Sequence, residues 1–404
     1  MAEWSTEPIE GCLTQLPLGA VPKLQTRDYK PHGRYPIVDQ GQALIAGWTD
    51  DESGLISSGL PVIVFGDHTL IFKYIDFPFV RGADGTQLLK PSTGINDLFF
   101  YYACKNLNLP NRGYNRHFKA LKEQLIPMPP HEEQVGIATA LRRVDEALAL
   151  QTEQVRATED IKRTTMRALF TRGLRGEAQK QTEIGPVPES WDVVPLGSLG
   201  RVGNGSTPKK DVREYWEGGS FPWLNSAKIY DRDVVSADRF VTISALRECH
   251  LPRIEPGAIL IAITGQGKTL GHCAVLRTVA TVSQHVAYVA TNLNRAIPSF
   301  VRDYLDTRYE YLRQVGSGGG STKGALTCAF LRGLPIPLPP TLDEQRDIVA
   351  VLDAIDRKIA LHRRKRAVLD DLFKTLLHKL MTGEIRVTDL DLSALAPKQP
   401  EVVA

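Results

Sequence analysis

Several things are scarce in this sequence of 404 residues. Cysteine occurs five times (Cys12, Cys104, Cys249, Cys273 and Cys328), an odd number with no Cys-x-x-Cys pair. That excludes a disulfide scaffold or a zinc framework and fits free thiols in a reducing compartment. No apolar run reaches the length of a membrane-spanning helix. Met1-Ala2-Glu3-Trp4-Ser5 is neither basic nor followed by an apolar core, so a soluble, cytoplasmic protein without a signal peptide is expected. Surplus charge is small: 49 Lys and Arg against 46 Asp and Glu leave +3, which permits a nucleic-acid partner without demanding one. At 42% hydrophobic and 24% charged, the chain is too apolar for disorder and too long for one ordinary domain.

Catalytic patterns are scarce too. The stretch 262–269 fits a relaxed phosphate loop, but Leu270 to Leu276 reads as a strand, whereas a phosphate cradle needs a helix there. The Pro-Pro pairs precede His131 and Thr341, so a DNA methyltransferase's catalytic loop is absent. Gly203-Asn204-Gly205-Ser206 lacks the closing glycine of a nucleophile elbow. Asp67-His68 stands in an expected hairpin turn, where Asp is common for conformational reasons. The nine histidines show no ligand spacing, so neither a metal nor a cofactor site is expected on this chain.

What the chain does have is a repeat. Ile126-Pro127-Met128-Pro129-Pro130 recurs as Ile336-Pro337-Leu338-Pro339-Pro340, followed by Glu133-Gln134 and Glu344-Gln345. From there to Arg175 and Arg386 the copies align at one constant offset, and Pro17-Leu18-Gly19 recurs as Pro195-Leu196-Gly197. The residues after each Pro-rich hinge predict a long helix. Apolar positions step by four and three through Ile348, Leu352, Ile355, Ile359, then Leu369, Phe373, Leu376 and Leu380; the first copy supplies Ile137, Leu141, Val144, Leu148, Val155 and Leu169. Thr341-Leu342-Asp343-Glu344 has the pattern of a capping box. Gln151 and Lys162 interrupt the first seam where His362 and Phe373 stand in the second; this reads either as a register-fixing polar layer or as a wet midsection. The run His362-Arg363-Arg364-Lys365-Arg366 reads as a solvated face, with a phosphate-contacting stripe as the alternative.

The middles between the edges differ in length and are rich in strands. Residues 60–65 and 69–75, and 258–263 and 273–276, read as buried hairpin strands; Ile95 to Tyr102 and Ile297 to Leu305 read as short helices. Two donor-rich loops, 111–117 and 316–323, each lie just before a Pro-rich hinge. They suit phosphate or base contact, but a plain mobile surface loop is the reading that the sequence alone favours.

These duplicated edges around unlike middles resemble the specificity subunit of type I restriction-modification enzymes, on the strength of Ile336 to Pro340, Asp343-Glu344-Gln345 and Thr382-Gly383-Glu384-Ile385. The resemblance implies an α+β fold: two target recognition domains of mixed strands and helices, and two long helices packed as an antiparallel coiled coil, in a pseudo-twofold repeat. The boundaries are then 1–130 (first recognition domain), 131–175 (first long helix), 176–190 (linker), 191–340 (second domain), 341–386 (second long helix) and 387–404 (tail). It implies a non-catalytic subunit that reads a split, asymmetric sequence in double-stranded DNA. Partners would supply chemistry: modification subunits, two in number, using S-adenosylmethionine, and restriction or translocase subunits using ATP and Mg. Lys73, Arg112, Asn115 and Arg116 are the expected DNA contacts of the first domain; Lys209, Lys210, Gln266, Lys268 and Lys323 are those of the second. The coiled-coil or partner-docking set is Ile137, Leu141, Val144, Leu148, Leu169, Ile348, Leu352, Ile355, Ile359, Leu376 and Leu380. A coiled-coil scaffold without DNA binding, or the specificity chain of a methylation-only system, are the competing readings.

Overall fold

Both long helices form, and the sequence explains where each begins and ends. In the computed structural model of the chain they run His131–Arg172 and Leu342–Met381, 42 and 40 residues. Each is about 60 Å long at the α-helical rise. Carboxylates fill both first turns (Glu132 and Glu133; Asp343 and Glu344), where the helix dipole favours negative charge. Thr341 Oγ1 accepts a hydrogen bond from Glu344 N at 3.3 Å, one half of the capping box. The other half is diverted, because the Glu344 carboxylate accepts the Trp191 indole N–H at 3.2 Å. Both helices stop at a left-handed glycine, Gly173 (φ +64) and Gly383 (φ +67). Counted from the matched starts His131 and Leu342, the first copy carries one more residue before its glycine than the second.

The structure describes residues 4–16, 22–82, 85–110, 116–265, 268–318 and 325–393. By contact the chain divides into two units, Met1–Gln154 with His362–Ala404, and Val155–Leu361. Each unit therefore contains one strand-rich middle and one half of each long helix.

In the first unit Ser5–Pro8 pairs antiparallel with Leu125–Met128. Val62–Gly66 is the centre of a three-stranded sheet between Phe72–Ile75 and Thr86–Leu89. A four-stranded sheet of Gly47–Thr49, Tyr35–Val38, Phe79–Arg81 and Leu55–Ile56 completes the domain. Helix Asp97–Lys105 begins on Asn96, whose side chain accepts from Leu98 N and Phe99 N. The core joins Ile63, Phe65, Phe99, Phe100 and Tyr102 to Ile137, Leu141 and Val144 of the first long helix. Phe373, Leu376 and Leu380 of the second belong to the same cluster. Within this unit the start of one long helix thus lies against the end of the other, which is antiparallel. Beyond Arg386, a 3-10 turn at Val387–Asp389 brings Val387 against Gly136.

The second unit repeats the plan. Asp192–Pro195 pairs antiparallel with Pro335–Leu338. A five-stranded sheet runs in the order Gly200–Asn204, Val286–Thr291, Ile259–Ala262, Cys273–Leu276, Asp233–Val234. Helices Pro298–Thr307, Tyr309–Ser317 and Cys328–Gly333 follow. Trp191, Ile259, Ile261, Phe300 and Leu305 pack with Met166, Leu169 and Phe170, and with Ile348 and Leu352. Residues 176–190 hold more structure than a linker: Gln179–Thr182 and Gly185–Pro188 form a hairpin. The edge match also shifts. Pro17-Leu18-Gly19 lies outside the described residues, and the strand that corresponds to Asp192–Pro195 is Ser5–Pro8, preceded by Trp4 as the other is by Trp191.

The repeated glutamine clasps each middle to the helix pair. Gln134 is buried; its Oε1 accepts from Asn96 N at 2.9 Å and its Nε2 donates to Pro129 O at 2.9 Å. Gln345 is buried too; its Oε1 accepts from Ile297 N at 2.8 Å and its Nε2 donates to Arg295 O at 3.3 Å. Asn96 and Ile297 are the caps of corresponding helices. One side chain thereby satisfies a helix-entry amide that no intrahelical partner can reach.

Candidate nucleic-acid interface

In each unit the central hairpin turn is tied to the loop that precedes the last short helix of the middle. In the first unit the turn between Val62–Gly66 and Phe72–Ile75 is closed by Leu70 N donating to Gly66 O at 2.8 Å. Asp67 is buried, and its Oδ1 accepts from His117 N and Phe118 N, both at 2.7 Å. That carboxylate holds the entry of Phe118–Lys122 and is structural. On its other side the turn meets residues 39–43: Thr69 Oγ1 donates to Gln40 O at 2.6 Å.

The corresponding loop in the second unit, between Ile259–Ala262 and Cys273–Leu276, is longer. Its first arm is bridged to the loop before Cys328–Gly333, with Thr264 paired to Ala325 and Leu326 N donating to Ile263 O at 2.8 Å. Thr264 Oγ1 meets His285 Nδ1 at 2.5 Å, and Gln284 Nε2 lies 3.2 Å from His285 Nε2. Residues 204–206 join from the side, Ser206 N donating to Val282 O at 3.1 Å. Gly205 is required there, since a Cβ would stand 1.6 Å from Val282 O. Glycines and donors from four loops therefore meet at one end of the strands of the five-stranded sheet. The loop is followed by a strand rather than a helix, in keeping with a turn and not a phosphate cradle.

The expected contact residues fare differently. Lys268, Lys209 and Lys210 are exposed on or beside this loop cluster, and Arg116 is exposed just before His117. Arg112, Asn115, Gln266 and Lys323 lie outside the described residues. Lys73 is a correction. Its side chain is buried, and its ammonium donates to Asp39 O at 2.7 Å and Ala43 O at 2.5 Å, with Asp39 Oδ1 at 3.8 Å. Burial lowers its pKa, opposed by Asp39. It braces the loop 39–43 from beneath and cannot reach a duplex.

Of the two roles expected for the coiled-coil or partner-docking set, its burial fits the first. Ile137, Leu141, Val144, Leu376 and Leu380 are buried in the first unit's core, and Leu169, Ile348 and Leu352 in the second's. Leu148 packs against the first of these cores, Ile359 is buried and Ile355 half-buried. These side chains hold the chain to itself, so a partner would have to dock elsewhere. Residues 363–366 are exposed. Among the described residues no group of His, Cys, Asp and Glu could hold a metal ion, and no helix is long and apolar enough to cross a membrane.

Residues 22–158 and 188–371 match the family model of the type I restriction modification DNA specificity domain. The chain belongs to that family. A specificity-family relative from Methanocaldococcus jannaschii, a putative type I restriction enzyme MjaX specificity subunit, is 29% identical over 72% of this chain. The match spans 65% of that relative, so the chain covers under two thirds of its length. The EcoR124I/EcoR124II specificity subunit of Escherichia coli is 25% identical over 84% of this chain and 86% of its own. Among solved structures, the S subunit of a type I system from M. genitalium matches with TM-score 0.62 at 18% identity, covering 94% of this chain and 96% of that one; it supports the fold.

Sequence reasoning passed over several residues of this specificity-family chain. An ionic cluster, buried at Arg302 and Asp303 and partly open beyond them, sits where the second middle meets the helices. Arg302 and Arg232 both reach Asp303 Oδ1 at 2.8 Å, and Arg232 also reaches Asp356 at 3.0 Å and Asp353 at 3.3 Å. Lys162 meets Asp356 at 2.7 Å. Burial raises the pKa of Asp303 against the pull of Arg302 and Arg232, and pushes Asp306 up to about 7, with Asp303 adding to it. His285 and Gln284 also went unmarked, and Thr264 stood out only as part of the relaxed phosphate loop 262–269. Nothing in the local sequence distinguishes them, because only the fold brings residues 264 and 285 together.

Proposed function

We propose that this chain is a non-catalytic DNA specificity subunit that reads a bipartite, asymmetric duplex sequence, one half through each unit. The observation that carries the reading is the duplicated loop cluster. Each unit presents, at the same point of the same topology, a hairpin turn locked to a pre-helix loop, while the loops themselves differ in length and side chains. Alike frames with unlike loops suit two different half-sites. Family membership supports the same reading.

The modification chemistry then belongs to partners: adenine methylation with S-adenosylmethionine by two modification subunits, and ATP- and Mg-dependent cleavage by restriction subunits, in the cytoplasm. The test is selection from a pool of randomised duplexes with the full-length chain. Two blocks of fixed bases separated by a fixed gap are expected, with affinity that falls steeply as salt rises. Enrichment of nothing, or of a single continuous block, contradicts the proposal. A scaffold that does not touch DNA would give no salt-dependent shift at all.

A further inference from the structure

The longer hairpin loop of the second unit is gripped at its second arm by three aromatic rings. His272 lies between Tyr230 and Tyr309, with ring centroids 4.6 and 4.7 Å away. Both tyrosine hydroxyls then bond the loop. Tyr230 OH lies 3.0 Å from Thr269 Oγ1, and Tyr309 OH donates to Lys268 O at 2.5 Å. Tyr309 is in turn held by Arg313, which lies 5.5 Å over its ring and donates to its hydroxyl at 3.3 Å. The three rings come from separate places in the chain: the 3-10 turn Ser226–Tyr230, the loop itself, and the first residue of Tyr309–Ser317.

Tyr230 is 52% exposed, so its place is not explained by burial alone. The first unit has no need of such a grip, because its shorter turn closes on its own backbone. Ten residues separate the flanking strands in the second unit, and a loop of that length has many conformations to lose. An exposed lysine discriminates between bases only if its backbone is held still before the duplex arrives.

We propose that Tyr230, His272 and Tyr309 are positioning residues that set Lys268 and Thr269 for base reading, and so determine part of the half-site recognised by the second unit. This rests on the DNA-reading function proposed above. The rings do not themselves touch DNA in this scheme; they act through the loop.

The test is duplex selection with the full-length chain and its Tyr309→Phe, His272→Ala and His272→Phe variants, with thermal unfolding measured on each. Tyr309→Phe and His272→Ala are expected to relax base preference in one block by about tenfold, leaving the other block unchanged. His272→Phe, which keeps a stacked ring, should restore most of the preference. Unchanged preference in well-folded Tyr309→Phe and His272→Ala overturns the proposal, as does equal loss in both blocks. If His272→Ala does not fold, Tyr309→Phe and Tyr230→Phe carry the same comparison, since each removes only a hydroxyl. A parent chain that enriches no block at all removes the DNA-reading function and this inference with it. A parent that enriches two blocks while its variants do not shift refutes this inference alone.

Discussion

The two units solve one problem with different side chains. At corresponding positions of the long helices stand Asp145 and Asp356, each paired with a cation of its own unit. In the first unit Tyr102 OH donates to Asp145 Oδ2 at 2.9 Å, and Lys105 lies 3.8 Å from the same carboxylate. That lysine also sits 4.5 Å over the ring of Phe373. In the second unit the position equivalent to Phe373 is Lys162, and Asp356 is held by Lys162 and Arg232 within an ionic cluster. The cation thus comes from the middle's helix in one unit and from a long helix, joined by a loop arginine, in the other. The glutamine clasp, by contrast, is the same in both. What must be constant is the bond to a backbone amide; what surrounds it is free to be aromatic or ionic provided each buried charge has a partner.

The largest effect should come from breaking the ionic side. Asp303 is fully buried between two guanidinium groups, so Asp303→Ala leaves Arg302 and Arg232 short of a partner. A loss of about 3–5 kcal/mol is expected in denaturant unfolding of the second unit. Replacing Arg302 and Asp303 together by Met and Leu should recover much of that loss, because no lone charge remains. If the single and double variants cost the same, the cluster is held by packing rather than by charge. The reciprocal experiment places the second unit's residue in the first. Phe373→Lys removes a buried ring from contact with Tyr102 and adds a cation beside Lys105, for an expected cost of about 3 kcal/mol. A cost near zero would mean that the two solutions are interchangeable residue by residue.

Next in size is the shared clasp. Gln134→Ala and Gln345→Ala each orphan a helix-entry amide and a carbonyl, and each should cost about 1–3 kcal/mol. Similar costs for the two would support one docking device used twice; a large difference would show that one unit relies on its side-chain cluster instead. Asp306 separates the units by pH. Its raised pKa, about 7, means that its contribution to stability is most favourable below the ordinary carboxylate range and is lost as pH climbs through 7. Asp306→Asn should therefore stabilise the second unit above pH 7 and change little below pH 4. One third of the side chain is open to solvent, so a gain of about 2–4 °C in melting temperature is the appropriate scale. An equal gain at both ends of the pH range would assign the effect to something other than this carboxyl.

Much of the frame was legible in the sequence because periodicity and breakers act locally. The long helices, the hairpins near residues 62–75 and 259–276, and the short helices at 97–105 and 298–307 all follow from such local signals. Function at a site depends on what arrives from far along the chain, and there the sequence was silent or misleading. Lys73 looked like a donor on a strand edge; the carbonyls that claim it belong to Asp39 and Ala43. The repeated glutamines stood out as a motif, but their role needs the amides of Asn96 and Ile297. The Tyr230, His272 and Tyr309 stack leaves no periodic trace at all. The hairpin inside residues 176–190 was missed for another reason: its strands are polar, and only the turn at Gly185 (φ +102) marks it.

The smallest expected effect concerns the point where the copies meet themselves. Gln151 and His362 occupy the same place in the repeat, and antiparallel helices of nearly equal length bring such positions together at their midpoints. There Gln151 Oε1 lies 3.0 Å from His362 Nδ1, and His362 is buried. The polar interruption is thus a satisfied pair, which favours a register-fixing layer over a wet midsection. Replacing either residue alone by Leu should cost about 1–2 kcal/mol, since the survivor loses its partner in an apolar seam. Replacing both should cost under about 1 kcal/mol or stabilise slightly, because two leucines continue the seam. The double-mutant cycle measured by denaturant unfolding isolates the coupling. A coupling near zero would show that register is set by the apolar seam and the glutamine clasps alone, and that the polar midpoint is only tolerated.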